Sequence, residues 1–310
     1  MPYKYTFEDI RHRPVAVIGA GTLGRRIALM FASRGGTARI YGRRAEQLAA
    51  ATQYVIEALP EVVKDGGSGE LGVATATTSL AEALDGAWLV VESAPEKLEI
   101  KIPLWGQIDA AAAADTIFGT NSSSYPSRLM AENVRDKTRL CNMHFYMPPE
   151  VNAVELMSDG QTDRGLLDTL LTVLPEFGLY PFEVRRESTG FIFNRIWAAI
   201  KRESLAVVAE GVARPEDVDG MFKVNARVLA EPFGLMDLVG LDVALDIENH
   251  YCEEFPYLPK TSRDLLQGYV DAGKLGVKTG EGFYTYPKAS TTQGQPQTDR
   301  NHRPPDATRC

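Results

Sequence analysis

Two residues that could transfer a proton lie close together in this 310-residue sequence. His144 stands near the end of the aliphatic run RLCNMHF, and Glu155 lies in the next short run, NAVELM. An imidazole ring titrates near neutral pH, so it can give or take a proton under ordinary conditions. A carboxylate between apolar neighbours is costly unless it is paired. We therefore predict that Glu155 pairs with His144, fixes its tautomer and stabilises its charged form.

A glycine-rich stretch follows the first aliphatic run of the chain. In VAVIGAGTLG, the glycines Gly19, Gly21 and Gly24 form a G-x-G-x-x-G pattern that encloses Thr22 and Leu23. The first glycine permits a tight turn, the second lets the backbone approach a pyrophosphate, and the third lets helix and strand pack closely. The N-terminus of the following helix adds N–H donors and a positive dipole end. The pattern predicts a dinucleotide-binding site.

The second aliphatic run, ARIYG, ends where an acid usually accepts hydrogen bonds from the adenosine ribose. Gly42 occupies that place, and Arg43 and Arg44 follow it. A carboxylate there would repel a 2′-phosphate, whereas a guanidinium group can bind the phosphate and stack on adenine. We predict NADP(H) as the cofactor. NAD(H) is the alternative, if the two arginines only form a solvated face at the start of a helix.

The elements that must position these residues alternate between strand-like and helical patterns up to about residue 186. Helical patterns such as GRRIALMFASRG and LEIKIPLWGQIDAAAA separate the runs VAVIG, ARIYG, WLVVES, TIFGT and RLCNMHF, and NAVELMS and PFEVRR follow. This order is typical of a parallel sheet with crossover helices. We predict a Rossmann-type α/β domain over 1–186, with a mostly parallel sheet and helices on both faces. An all-α domain over 187–287 and a disordered, Pro- and Gln-rich tail over 288–310 complete the prediction.

The composition limits the classes of partner. A net charge of −8 argues against a nucleic acid or a membrane surface, and no apolar run approaches the roughly 20 residues of a membrane span. The three cysteines show no paired spacing, and the four histidines lie far apart, which disfavours a disulfide framework and a metal cluster. Glu8 and Asp9 precede the first strand and speak against a transit peptide. We expect a cytoplasmic protein with a small-molecule substrate.

Taken together, the segments resemble the L-3-hydroxyacyl-CoA dehydrogenase family from about residue 14 to 287. The resemblance is carried by GAGTLG, ESAPEKLEIK, TNSSSYP, HFYMPP, AVELM, GFIFNR, EPFGLMDLVGLD and GVKTGEGFY. It implies that His144 is the catalytic histidine and Glu155 its acid partner, and that Ser123 and Asn194 orient the substrate. It also implies a homodimer formed through the second half of the chain. Contacts to the nicotinamide half of the cofactor would come from Glu96, Lys101, Ser123 and Lys278.

Each of these residues also has a purely structural interpretation. His144 could be an ordinary residue at a strand end. Ser123, in a serine-rich turn, could cap a helix, and Asn194 could be an ordinary helix residue. Lys101 and Lys278 could be plain surface charges. The order of the family segments along the chain favours the functional interpretation.

The sequence departs from the family's pattern at three places. The family's HFFNP is HFYMP here, so Met147 replaces an asparagine, and Glu231 replaces a glycine before Pro-Phe. The stretch EQLAAATQYVIEALPEVVKDGGSGELGVAT is shorter than the helical hairpin with which the family helps to cover coenzyme A, and it ends in a glycine-rich segment.

From the candidate residues and the resemblance together, we predict an NADPH-dependent oxidoreductase that interconverts a 3-keto carbonyl compound and its 3-hydroxy form. The substrate could be an acyl-CoA, or a free β-keto or hydroxy acid, a diketo ester or a polyketide-like compound. A non-catalytic, crystallin-like protein is a further alternative.

Overall fold

The computed structural model describes residues 3–66, 70–227 and 231–287. The chain divides into two compact units, Met1–Ile196 and Trp197–Cys310. The tail predicted over 288–310 lies outside the described residues. Within the three ranges, no helix has both the length and the apolar character that a membrane span needs.

The first unit is built on one eight-stranded sheet. Its strands are β1 (Val15–Ile18), β2 (Thr37–Tyr41), β3 (Val73–Thr77), β4 (Leu89–Glu92), β5 (Ile117–Thr120), β6 (Leu140–Met147), β7 (Val151–Met157) and β8 (Tyr180–Val184). They lie in the order β3-β2-β1-β4-β5-β6-β7-β8, and every neighbouring pair is parallel except the antiparallel pair β6–β7. The predicted Rossmann-type fold is confirmed.

Helices cover both faces of this sheet. The first unit contains α1 (Phe7–Ile10), α2 (Thr22–Ala32), α3 (Ala45–Gly66), α4 (Leu80–Leu84), α5 (Leu98–Ala111) and α6 (Arg164–Val173). On one face, Phe31 of α2 packs edge-on against Trp88, Phe145 and Phe177. On the other, Trp105 of α5 packs on Phe118 at a ring distance of 5.2 Å. Because both faces are covered, β1, β4 and β5 are fully buried, which explains their continuous aliphatic runs.

Two parts of the first unit were not predicted from the sequence. The stretch that stands in place of a helical hairpin forms one helix of 22 residues, α3, and the chain then enters β3. The short elements β3 and α4 follow it, and β3 was missed because VATAT consists of small, mostly exposed residues with no aliphatic run.

The second unit is helical, as predicted. The helix α7 (Phe193–Ala209) enters it, and α8 (Pro215–Ala226), α9 (Pro232–Val239), α10 (Leu241–Glu254) and α11 (Thr261–Asp271) follow. The carboxylate of Asp237, which is fully buried, accepts hydrogen bonds from the backbone N–H groups of Phe283 and Tyr284 and from the Tyr286 hydroxyl. The family segments EPFGLMDLVGLD and GVKTGEGFY are therefore tied to each other inside this unit.

Candidate active site

The glycine loop between β1 and α2 has the form that a dinucleotide requires. Gly19 has φ = 129°, and a Cβ there would collide with the carbonyl oxygen of Ser93. A Cβ on Gly24 would collide with the carbonyl oxygen of Gly19, so helix and strand are in close contact. A Cβ on Gly21 would meet nothing within 4 Å, which leaves open space before the N-terminus of α2. The loop therefore fits a pyrophosphate approaching the backbone at Gly21.

A groove of about 1010 Å³ runs past this loop to the end of β2. Gly19, Gly21, Thr22 and Leu23 line it beside the loop. At the far end its lining includes Gly42, Arg43 and Arg44, and both arginine side chains are exposed. Arg44 donates a hydrogen bond to Oε1 of Gln47 at 3.2 Å.

The carboxylate of Glu155 faces the ring of His144 across the antiparallel pair β6–β7, where the two residues are direct partners in the register. Nδ1 of His144 lies 3.2 Å from Oε2 of Glu155, and the two side chains are 7% and 4% exposed. Opposite residues of an antiparallel pair present their side chains on the same face, which explains why a spacing of eleven residues brings these two together.

Glu155 accepts three further hydrogen bonds. Its Oε1 accepts from the backbone N–H groups of Ile192 and Phe193 at 2.8 and 2.9 Å, and its Oε2 accepts from the Tyr146 hydroxyl at 2.7 Å. Burial alone would raise the pKa of Glu155, but the hydrogen bonds from His144, Tyr146 and the two backbone groups outweigh burial and hold that pKa below its ordinary value. The carboxylate is therefore ionised at neutral pH, and Nδ1 of His144 must carry the hydrogen of their bond.

The turn before α7 supplies the two backbone donors. Gly190 and Phe191 both have positive φ values, 74° and 55°, and the helix α7 begins at Phe193. The Phe191 ring is stacked on His144 with centroids 4.9 Å apart. A left-handed conformation is uncommon for phenylalanine, and here it turns the N–H groups of Ile192 and Phe193 toward Glu155.

The proposed substrate-orienting residues lie beside the histidine. A cavity of about 490 Å³ contains Ser123, His144 and Asn194 in its lining, together with Glu96 and Lys101. Neither Ser123 nor Asn194 forms a side-chain hydrogen bond with the described residues. Ser123 caps no helix, because the neighbouring Ser122 makes the local contacts to Glu96 and to the N–H group of Tyr125. The two side chains are thus available to a ligand in this cavity.

Lys101 is buried and paired, so its interpretation as a plain surface charge is wrong. Its Nζ donates to Oε1 of Glu92 at 2.7 Å and lies 3.2 Å from Oε2 of Glu96. Glu92 is fully buried, and its other oxygen accepts from Oγ1 of Thr120 at 2.6 Å. Sequence reasoning missed Glu92, although an acid that closes the apolar run WLVVES could have indicated a buried pair.

The other residues singled out from the sequence have clear positions. Met147 lines the cavity and is 45% exposed. In the second unit, Lys278 pairs with Asp242, and Glu231 accepts from Nζ of Lys223 at 2.8 Å. The contact of Lys278 with a nicotinamide stays a prediction. Among the residues that the structure describes, no three His, Cys, Asp or Glu side chains gather as a metal site would require.

Comparison with known proteins decides the family. Residues 14–188 match the model of the 3-hydroxyacyl-CoA dehydrogenase NAD binding domain, and residues 190–286 match that of the C-terminal domain. The chain belongs to the 3-hydroxyacyl-CoA dehydrogenase family. It is accordingly an oxidoreductase of this type, which acts on a CH–OH group with a nicotinamide cofactor.

Individual relatives show how far the similarity extends. The chain is 32% identical to a 3-hydroxybutyryl-CoA dehydrogenase of Clostridioides difficile over 88% of its own length and 99% of that protein. It is 43% identical to the 3-hydroxyacyl-CoA dehydrogenase-like protein LAM1 of Cochliobolus heterostrophus, but over 50% of this chain and 33% of that longer protein. A solved diketoreductase, described as acting on dicarbonyl compounds, has a TM-score of 0.74 at 27% identity, with 89% and 99% of the two chains covered.

Proposed function

We propose that this protein is an NADPH-dependent reductase that interconverts 3-keto carbonyl compounds and their 3-hydroxy forms. The observation that carries the proposal is the buried pair His144–Glu155, which lies in one cavity with Ser123 and Asn194. Leu23, Ser93 and Ala94 line both this cavity and the groove beside the glycine loop, so the two adjoin. A ketone in the cavity would therefore lie beside the nicotinamide end of a dinucleotide bound in the groove.

The side chains divide the chemistry among them. A bound nicotinamide supplies the hydride for the carbonyl carbon. His144, held through Nδ1 by Glu155, gives a proton from Nε2 to the carbonyl oxygen, and Glu155 stabilises the charged ring before that transfer. Ser123 and Asn194 can donate hydrogen bonds to the same oxygen as charge develops on it. The buried pair Lys101–Glu92 fixes the wall of the cavity beside them.

The preference for NADP(H) is part of this proposal. Gly42 leaves no carboxylate where the adenosine ribose would lie, and Arg43 and Arg44 line the groove there. One hydrogen bond to a charged group contributes about 1.5–3 kcal/mol, which is roughly ten- to a hundredfold in affinity. A 2′-phosphate bound by either guanidinium would thus favour NADPH over NADH by at least roughly tenfold.

The identity of the acyl group is tested by comparing substrates. The single helix α3 replaces the hairpin that the family uses over coenzyme A, and the diketoreductase relative acts on dicarbonyl compounds, which supports a substrate without coenzyme A. The 3-hydroxybutyryl-CoA dehydrogenase relative supports an acyl-CoA. NADPH oxidation should be measured with acetoacetyl-CoA and with a simple β-keto ester. Reduction of either one supports a 3-keto reductase, and reduction of neither would contradict it.

A homodimer and a cytoplasmic location complete the proposal. The second unit exposes large apolar side chains, among them Val212, Met221, Val224 and Tyr257, which are between 65% and 80% exposed. Such side chains are typical of a surface that a second copy of the chain covers. The cytoplasmic location stays a prediction from composition.

A further inference from the structure

The hydroxyl group of Tyr146 is bonded to the same carboxylate oxygen that supports the active-site histidine. It donates to Oε2 of Glu155 at 2.7 Å, whereas Nδ1 of His144 lies 3.2 Å from that oxygen. Tyr146 lines the cavity next to His144, and their ring centroids are 4.7 Å apart. The tyrosine distance is the usual one for an O–H···O bond, and the histidine distance is at the long end for an N–H···O bond, so both groups are bonded to Oε2.

A shared oxygen makes the two bonds compete. Oε1 of Glu155 already accepts hydrogen bonds from two backbone N–H groups, so these groups stabilise part of the negative charge of the carboxylate independently of His144. Each hydrogen bond to an ionised carboxylate stabilises the charged form and reduces its basicity. A carboxylate of lower basicity stabilises a neighbouring imidazolium less, so the charged ring becomes a stronger acid.

We propose that Tyr146 is a positioning residue that limits the basicity of Glu155 and thereby sets how firmly His144 holds its proton. The tyrosine acts through Glu155 and not on the reacting atoms. Its kinetic consequence rests on the proposed function, but the coupling of the three side chains does not depend on any substrate.

The chain allows the hydroxyl to be tested apart from the ring. The Tyr146 ring also packs edge-on against Phe193, with centroids 5.5 Å apart, and phenylalanine would keep that contact and the contact with His144. The other charged groups of the cavity, Glu96 and Lys101, are paired with each other and are unaffected by the change. Tyr146→Phe therefore removes the hydrogen bond to Glu155 and keeps both ring contacts.

The first measurement is the pH dependence of kcat/KM for ketone reduction. Reduction requires protonated His144, so kcat/KM falls as the pH rises. Without the hydroxyl, Glu155 stabilises the imidazolium more strongly, and in Tyr146→Phe the midpoint of this fall should move to higher pH by about half to one pH unit. The matched control is Tyr5→Phe, which removes a hydroxyl bonded to the Asp115 carbonyl oxygen at 2.7 Å outside the cavity. The profile of the control should match that of the parent.

The second measurement needs no turnover. The titration of the His144 ring is followed by NMR in the full chain, and its signal is identified by its loss in His144→Gln. An upward shift of the midpoint in Tyr146→Phe supports the inference, even if the parent reduces none of the substrates tested and the proposed function fails. A midpoint that stays in place or moves down would overturn the inference. A parent that is active and a kinetic midpoint that does not move would overturn it as well.

Discussion

At the scale of single residues, the active-site pair was predictable but its surroundings were not. His144 and Glu155 could be paired from their positions in two consecutive strand-like runs. Tyr146 and Phe191 could not be assigned, because their roles depend on a shared carboxylate and on a left-handed backbone. These are contacts between elements, which residue types along one segment do not specify.

The lowered pKa of Glu155 predicts a loss of stability in acid. A group with a depressed pKa in the folded state stabilises the fold above its unfolded pKa of about 4.3, and this contribution is lost as the pH falls through the folded value. At pH 7, the free energy of unfolding of Glu155→Gln should be about 1–3 kcal/mol lower than that of the parent. Urea unfolding at a series of pH values should show this difference shrinking as the pH falls below about 4.3.

A surface carboxylate provides the control for that measurement. Glu187 pairs with Arg128 at 2.9 Å, and both side chains are partly exposed. Glu187→Gln should cost less than about 1 kcal/mol at pH 7, because exposed ion pairs contribute little. Equal losses for Glu155→Gln and Glu187→Gln would contradict the role assigned to the buried pair.

The cofactor preference is also decided by single residues. NADPH should bind at least roughly tenfold more tightly than NADH, and Gly42→Asp combined with Arg43→Ala should narrow or reverse this ratio. The new Cβ at Gly42 would lie 3.1 Å from Cδ2 of Leu48, which is the end of a flexible side chain, so the fold should tolerate the change. Fluorescence titration with both cofactors measures the ratio. Equal affinities in the parent would refute the assignment to NADP(H).

At the scale of elements, the regular sequence patterns predicted most strands and helices correctly. Segments of irregular backbone could not be predicted from the sequence. The continuous apolar runs of β1, β4 and β5 indicate buried strands, and these strands are fully buried in the structure. The turn before α7 could not be predicted, because nothing in the sequence marks Phe191 as a residue with positive φ. This turn directs the N–H groups of Ile192 and Phe193 at Glu155, so a feature of the active site depends on it.

The glycine loop allows folding and cofactor binding to be separated. Gly19→Ala should destabilise the fold by at least about 1–3 kcal/mol, because it forces a side chain into a left-handed conformation against Ser93. Gly21→Ala should cost less than about 1 kcal/mol, because its Cβ meets nothing within 4 Å. Even so, Gly21→Ala should weaken NADPH binding, because the added methyl group occupies the approach of the pyrophosphate. Thermal unfolding and cofactor titration of both variants test this, and unchanged NADPH binding in Gly21→Ala would contradict the placement of the cofactor.

At the scale of the whole molecule, the sequence predicted both the sheet and the helical second half. What it could not specify was the stretch between β2 and β4, where α3 forms one long helix and a short, mostly exposed strand follows. Small residues in VATAT pack at a sheet edge without an aliphatic signal, so tertiary context decided their structure.

The proposed homodimer can be tested by measuring the molecular mass of the protein in solution. Light scattering at micromolar concentration should report twice the 34.0 kDa of one chain. The physical reason is that the exposed apolar side chains of the second unit are costly in water and would be covered by the partner. A mass of 34.0 kDa under these conditions would refute the dimer.

The central claim is that His144 delivers the proton in a ketone reduction driven by NADPH. Its most direct test is stopped-flow NADPH oxidation by the parent and by His144→Ala with one β-keto substrate. General acid–base catalysis is typically worth about 10²–10⁴-fold, so kcat of the variant should fall by at least about a hundredfold. NADPH affinity should stay nearly unchanged, because the phosphate loop lies between β1 and α2 and not on β6. A variant with near-parental kcat would show that the proton comes from another group and would contradict the account.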